Sequence, residues 1–266
     1  MKILEIAEQD NYLLKILEDD EPFNPRKEMD HFGTMVCFHR RHNLGDEHNF
    51  QDSDEFLMDL LTDSFGGDDE KAERFYENAV DKVEAKSLGK RIDWREVDNI
   101  ILAEISKQHV ILPLYLYDHS GITMNTGGFS DPWDSGQVGW IYAAKDEILS
   151  EYGGKNLTQQ KREKAAQVLE GEVELYDHYL CGDCYGFELY KSGEMIDSCW
   201  GFLGGYESIK KDIAAYLPSE CRGLVDKLHE PGEPSSLLSA LKGAKNTVDQ
   251  ARTHKEQQPR ATEVSI

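Results

Sequence analysis

Apolar residues fall into short, differently spaced runs along most of the chain, and the spacing of each run predicts an element. MKILEI and YLLKILED read as two strands separated by the polar EQDN, a hairpin that FNPR then breaks. GTMVCF, from Gly33 to Phe38, suits a buried strand, and the basic RRHN with Gly45 follows as a turn. Residues 53–65, SDEFLMDLLTDSF, begin with Ser53 as N-cap and acids in the first turn. Their apolar stripe is Phe56, Leu57, Leu60 and Leu61, so a helix is expected.

After the breaker GGDD, residues 69–87 predict a second helix with Ala72, Phe75, Tyr76, Ala79 and Val83 inward. DWREVDNIILAEISKQ predicts a third. HVILPLYLYDH, GITMNT and QVGWIYAAK read as three strands of a meander, with Pro113 at an edge or bulge because it cannot donate to a ladder. Helices are expected over 144–152 and 157–170, the latter continuing through 180. CYGFELYKSGEMIDSCWGFLG is a hairpin turning at Ser192-Gly193, and GYESIKKDIAAYL is the closing helix. Strands and helices come in mixed runs without a repeat, which gives an α+β class with mainly antiparallel sheet and packed helices.

Residues 1–230 are expected to form a single globular domain, with room for a sub-domain boundary near 105. Beyond about 230 the composition turns to Gly, Pro, Ser and Lys, so 231–266 reads as a mobile tail in which SSLLSALKGAKNTVDQA could form a short helix.

Composition sharpens this picture at the level of compartment and partners. The N-terminus has acids where a signal peptide needs an apolar run, and nothing approaches the roughly 20 apolar residues of a membrane span, so a cytoplasmic protein is expected. Five cysteines are an odd number, pointing away from a disulfide framework and toward reduced thiols or a metal. A formal charge of −22 disfavours direct contact with nucleic acid or anionic membrane and favours a basic protein partner.

The charge is concentrated. Between His42 and Glu70 there is no Lys or Arg, while Asp46, Glu47, Asp52, Asp54, Glu55, Asp59, Asp63, Asp68, Asp69 and Glu70 supply ten carboxylates. On the predicted helix Glu55, Asp59 and Asp63 fall at i, i+4 and i+8, opposite the apolar stripe. Like charges at that spacing cost a helix a few tenths of a kcal/mol each, and a row of them about 5–6 Å apart roughly copies a phosphate backbone. Asp52, Asp54, Glu55, Asp59, Asp63, Asp68, Asp69 and Glu70 are therefore the expected partner-binding residues, against the plain alternative of a solvated acidic face.

Other chemistry is weaker in the sequence. Asp118, His119 and Ser120 are the residue types of a charge-relay triad, but consecutive residues cannot form one and a strand turn is expected there. His178, Cys181, Cys184 and Cys199 permit a Cys3His zinc site if Gly186 faces Cys199 across the hairpin, making Cys184 the diagonal neighbour of Cys199. The spacing does not demand it, and the expectation is no cofactor. HRRHNLGDEH brings His39, His42 and His48 near Asp46 and Glu47, potential metal or phosphate ligands, although Arg40 and Arg41 oppose a cation. Trp133, Trp140, Tyr142, Tyr115 and Tyr117 read as the alternating face of a packed sheet.

FGTMVCFHRRHNLGDEH, LPLYLYDHSGITMNT, DSGQVGWIY and DSCWGF resemble a family of uncharacterised proteins encoded by bacteriophages, plasmids and integrative elements. The resemblance covers roughly Phe32 to Tyr206 and brings no assigned activity or catalytic residue. It implies that the positions of Cys181 and Cys184 are not cysteine in the family, against zinc and redox roles. It also implies a mobile-element context, in which small acidic proteins disable restriction or CRISPR systems by posing as DNA. The combined expectation is a non-catalytic, acidic, DNA-mimicking inhibitor, of anti-restriction or anti-CRISPR type, of a basic host nucleic-acid enzyme, with room for homo-oligomerisation. The alternatives are a metal-assisted hydrolase or nucleotide-modifying enzyme using the His39–His42 loop, and a structural accessory protein.

Overall fold

The computed structural model describes residues 1–88 and 91–232; the predicted tail at 233–266 lies outside the described residues. The chain is α+β with two antiparallel four-stranded sheets and divides into two compact units, 1–20 with the segment from 184 onward, and 21–183. The chain leaves the first unit after its second strand and returns to pair with that same strand. Residue 105 lies inside the second unit, at the end of a helix.

In the first unit, β1 (Ile3–Gln9) and β2 (Tyr12–Glu18) form the expected hairpin, closed by Asp10 and Asn11, both at positive φ. β7 (Cys184–Lys191) and β8 (Glu194–Leu203) form the second hairpin through Ser192-Gly193, and the sheet order is β1-β2-β7-β8. Leu14, Ile16, Phe187, Leu189 and Phe202 meet Ile209 and Ile213 of α7 (Tyr206–Tyr216). Past a short 3-10 turn, His229 exchanges backbone hydrogen bonds with Ile6 and covers the edge of β1.

The second unit is a three-layer sandwich. Its sheet runs β3-β6-β4-β5, from β3 (Thr34–Cys37), β4 (His109–Asp118), β5 (Ile122–Asn125) and β6 (Ser135–Ala144). The expected meander is therefore corrected: β4 and β5 form a hairpin, but β6 crosses to the far side of β4 and inserts between β4 and β3. Pro113 sits where β5 no longer reaches, since β5 pairs only with Tyr115–Asp118, and a bulge follows at Leu114/Tyr115.

Alternation sorts the side chains. Met35, Leu114, Ile141 and Ala143 face α6 (Gln159–Cys181), which contributes Ala165, Leu169, Val173 and Tyr176. Val36, Trp140, Ile111 and Tyr142 face α2 (Ser53–Ser64), α3 (Asp69–Ser87) and α4 (Trp94–Ile105). α1 (Pro25–Glu28) and α5 (Lys145–Tyr152) complete the unit. Trp133 departs from expectation: it lies in the loop before β6 and is 91% exposed, while Trp140 is core. Among the described residues no helix is long and apolar enough to cross a membrane.

Candidate functional site: an acidic helical face and a histidine corner

The acidic block folds as predicted, with one shift of register at its start. The N-cap of α2 is Asp52 rather than Ser53. Its carboxylate accepts from the Asp54 and Glu55 amides at 3.1 and 3.0 Å, while Glu55 accepts the Gln51 amide at 2.6 Å. Acids here stabilise the helix, because they satisfy orphan N–H groups at the positive end of the dipole. Phe56, Leu57, Leu60 and Leu61 are buried as expected, and the Phe56 ring lies 5.6 Å from both Trp140 and Tyr142.

The remaining carboxylates separate into two groups. Asp68 caps α3 and pairs with Lys71 at 2.6 Å, and Glu70 faces Arg74 at 3.8 Å. Asp63 lies in the last turn of α2, where a negative charge opposes the dipole, and it meets the buried His109 at 3.0 Å. Asp54, Asp59 and Asp69, in contrast, form no ion pair among the described residues, and all three are exposed.

Asp54 opens onto a cavity of about 310 Å³ between α2, α3 and α4. Trp94, Asp98 and Ile101 follow one another at i, i+4 and i+7 along α4 and face Asp54, Leu57 and Met58 at i, i+3 and i+4 along α2. Tyr76 of α3 closes the third side. Burial, then the Asp54 charge, raise the Asp98 carboxyl above its ordinary value, and burial followed by the Asp54 and Asp98 charges raises the Tyr76 phenol. The sequence pattern carried α2 but not this cavity, because Trp94 and Asp98 lie forty residues on and only helix packing brings them opposite.

The second constellation joins the two stretches that the sequence offered separately. Because β6 lies between β3 and β4, the loop that follows β3 reaches the end of β4. There Asp118 accepts from Arg41 and stands 3.7 Å from His39 Nε2 and 3.5 Å from His42 Nε2. Among the described residues this is the one group of three His, Cys, Asp or Glu whose ligand atoms come within 4.8 Å of one another. The His39 and His42 rings stack at 5.0 Å, and burial, then His42, lower the His39 pKa, with Asp118 opposing. The loop opens on a cleft of about 830 Å³ lined by His39, Arg40, His42 and His48.

His39 Nδ1 accepts the Arg41 and His42 amides at 3.4 and 3.2 Å. That network leaves the neutral ring's proton on Nε2, directed toward Asp118. A histidine that ligates a metal through Nε2 instead carries its proton on Nδ1 and donates it. The donor set is right for a divalent ion, but the backbone holds His39 in the wrong tautomer and Arg41 already compensates Asp118.

The other loop residues serve the fold. Asp46 receives Arg26 Nε at 2.8 Å and the Met35 amide at 2.7 Å, while Arg26 Nη1 reaches Glu172 at 2.9 Å and Nη2 the Gly33 carbonyl at 2.7 Å. His48 Nε2 sits 2.9 Å from the Cys37 carbonyl, and Glu47 is exposed near Lys27. Of the Asp-His-Ser stretch, His119 and Ser120 form the expected turn, with Ser120 at positive φ, whereas Asp118 ends β4 and belongs to the histidine corner.

The Cys3His geometry is corrected. Bulges in the β7–β8 ladder shift the register so that Phe187, not Gly186, faces Cys199, and Cys184 pairs with Leu203. Cys184 is buried with its thiol 3.7 Å from Asp19, Cys181 is exposed with its sulfur 3.5 Å from the Ile122 carbonyl, and His178 Nδ1 lies 3.1 Å from Asp183. The chain matches no protein-family model, no curated protein and no solved structure.

Proposed function

We propose that this is a non-catalytic acidic protein that binds a basic protein partner through the helical face of α2, α3 and α4. The observation that supports the reading is the set of exposed carboxylates, Asp54, Asp59 and Asp69, that have no paired cation among the described residues although neighbouring acids are capped or paired. Carboxylates left uncompensated on a rigid helical layer attract Lys and Arg from a distance and set register on contact. A host enzyme that handles nucleic acid, in the cytoplasm, presents such a basic surface. An inhibitor of restriction or CRISPR machinery is the form of this function that the mobile-element resemblance favours.

Association should weaken as salt rises, because exposed charges are screened. In a pull-down from host lysate at low and high salt, the combined Asp54→Asn, Asp59→Asn and Asp69→Asn variant should lose the basic partner that the unaltered protein retains. Salt-insensitive capture that survives all three changes would show the reading to be wrong.

A second reading rests on His39, His42 and Asp118, which could hold a divalent ion once His39 gives up its backbone hydrogen bonds and Arg41 swings away. The ion would polarise a substrate oxygen or activate water for hydrolysis. Metal analysis after equilibration with zinc or manganese tests it: a stoichiometric ion lost in His42→Ala supports the enzyme, and no retained ion removes it.

A further inference from the structure

We propose that the cavity between α2, α3 and α4 receives one arginine side chain from the basic partner and serves as the anchor of the docking face. The inference rests on the binding reading above and names the residue chemistry that the face selects.

The lining argues for a cation on an apolar stem. Leu57, Met58 and Ile101 supply an apolar wall, which free metal ions and hydrated anions do not use. Asp54 and Asp98 supply two carboxylates at the same opening, with no ion pair for either among the described residues. Burial, and then the neighbouring Asp54 charge, raise the cost of ionising Asp98. A cation seated between them removes that repulsion and adds two attractions.

Arginine fits better than lysine. A planar guanidinium can donate to two carboxylates at once and lay its face against an aromatic ring, whereas an ammonium is a compact, strongly hydrated point charge. Trp94, half exposed at the rim, and Tyr76 offer such faces. The cavity, at about 310 Å³, lies at the lower end of the range of ligand pockets, about 300 to 1,000 Å³, and has room for a guanidinium with its stem. An exposed tryptophan beside buried apolar groups and charge is also the composition of a binding hot spot.

The test uses an arginine-rich nonapeptide, its lysine counterpart and its citrulline counterpart, titrated at low salt into the full chain while tryptophan fluorescence and NMR shifts are followed. The arginine peptide should bind more tightly than the lysine peptide, and citrulline should abolish binding. Asp98→Asn and Trp94→Ala should each weaken the arginine peptide by about tenfold, whereas Glu151→Gln, which removes an exposed carboxylate of α5 outside the docking face, should change it by less than about twofold. Far-UV circular dichroism identifies any variant that fails to fold, and Trp94→Phe, which keeps an aromatic face, then takes the place of Trp94→Ala and should retain most of the affinity.

Binding that falls equally for Asp98→Asn and for Asp69→Asn, elsewhere on the docking face, would overturn the pocket while leaving the acidic face as the docking surface. Equal affinity for arginine and citrulline peptides would overturn the pocket too. Failure of the unaltered protein to bind any basic peptide at low salt would overturn both readings. Self-association that disappears in Asp98→Asn would put a second copy of this chain in the cavity instead of a partner.

Discussion

His109 places Nε2 3.0 Å from the Asp63 carboxylate and Nδ1 3.2 Å from the Ile105 carbonyl, so a buried imidazole ties the first residue of β4 to the last turns of α2 and α4. The ring is 1% exposed, whereas the carboxylate is 65% exposed. One acid of the predicted docking row therefore serves the fold.

Asp63→Ala should leave the buried ring short of a partner and lower stability by roughly 1 kcal/mol, toward the small end for a lost charged hydrogen bond because water can take the exposed carboxylate's place. Asp59→Ala, on the same helix but without a partner, should stay within about 0.5 kcal/mol of the unaltered protein. Urea denaturation midpoints compare the two, and equal losses would mean that the His109 contact contributes nothing of its own.

Arg26 is the most heavily committed cation among the described residues, holding Asp46, Glu172 and the Gly33 carbonyl from a buried position. Arg26→Lys keeps the charge but cannot span all three acceptors, so acceptors are left buried and under-bonded. A loss of about 3 kcal/mol is expected, near the cost of breaking a buried pair. Calorimetric unfolding measures it, and a loss under about 1 kcal/mol would count against a structural role for the network.

The His39 pKa is held below its ordinary 6.5, by burial first and then by His42 and Arg41, with Asp118 pulling the other way. Above 6.5 the ring is neutral whether the chain is folded or not. As pH falls through that value the unfolded chain takes up the proton first, so acid favours unfolding. The contribution of His39 to stability is therefore full at neutral pH and lost progressively on acidification. Denaturation midpoints from about pH 7.5 to about pH 5 should show a shallower decline in His39→Gln, and an NMR titration of His39 should fall below the ordinary value.

Burial raises the Cys37 thiol to about 12, with Asp46 adding to the shift, and raises Cys184 to about 11, with Asp19 adding. Thiolate, not thiol, is the nucleophile, so neither should react in the folded protein at about pH 8. Alkylation with iodoacetamide followed by peptide mass spectrometry should label both only after denaturation. Rapid native labelling of either would contradict the burial that separates these cysteines from redox chemistry.

The local elements were legible because each is written in a few adjacent residues. The stripe Phe56-Leu57-Leu60-Leu61 gave α2, Ser192-Gly193 gave the last hairpin, and Asp10 and Asn11 accept the left-handed backbone that the first one needs. The candidate sites were legible only in part. Composition placed the carboxylates, but capping and pairing decide which of them stay available, and Asp52, Asp63 and Asp68 are taken.

By itself the sequence determined the strands, the helices, their turns and the negative charge, since periodicity of 2 or 3.6 and capping chemistry act within a few residues. Tertiary structure alone decided where distant segments meet. The insertion of β6 between β3 and β4 brings Asp118 to His39 and His42, a bulge at Leu189/Tyr190 carries Cys199 past Gly186, and helix packing sets Asp98 and Trp94 against Asp54. Strand order, register and helix packing depend on how whole faces bury one another, and no local spacing records that choice.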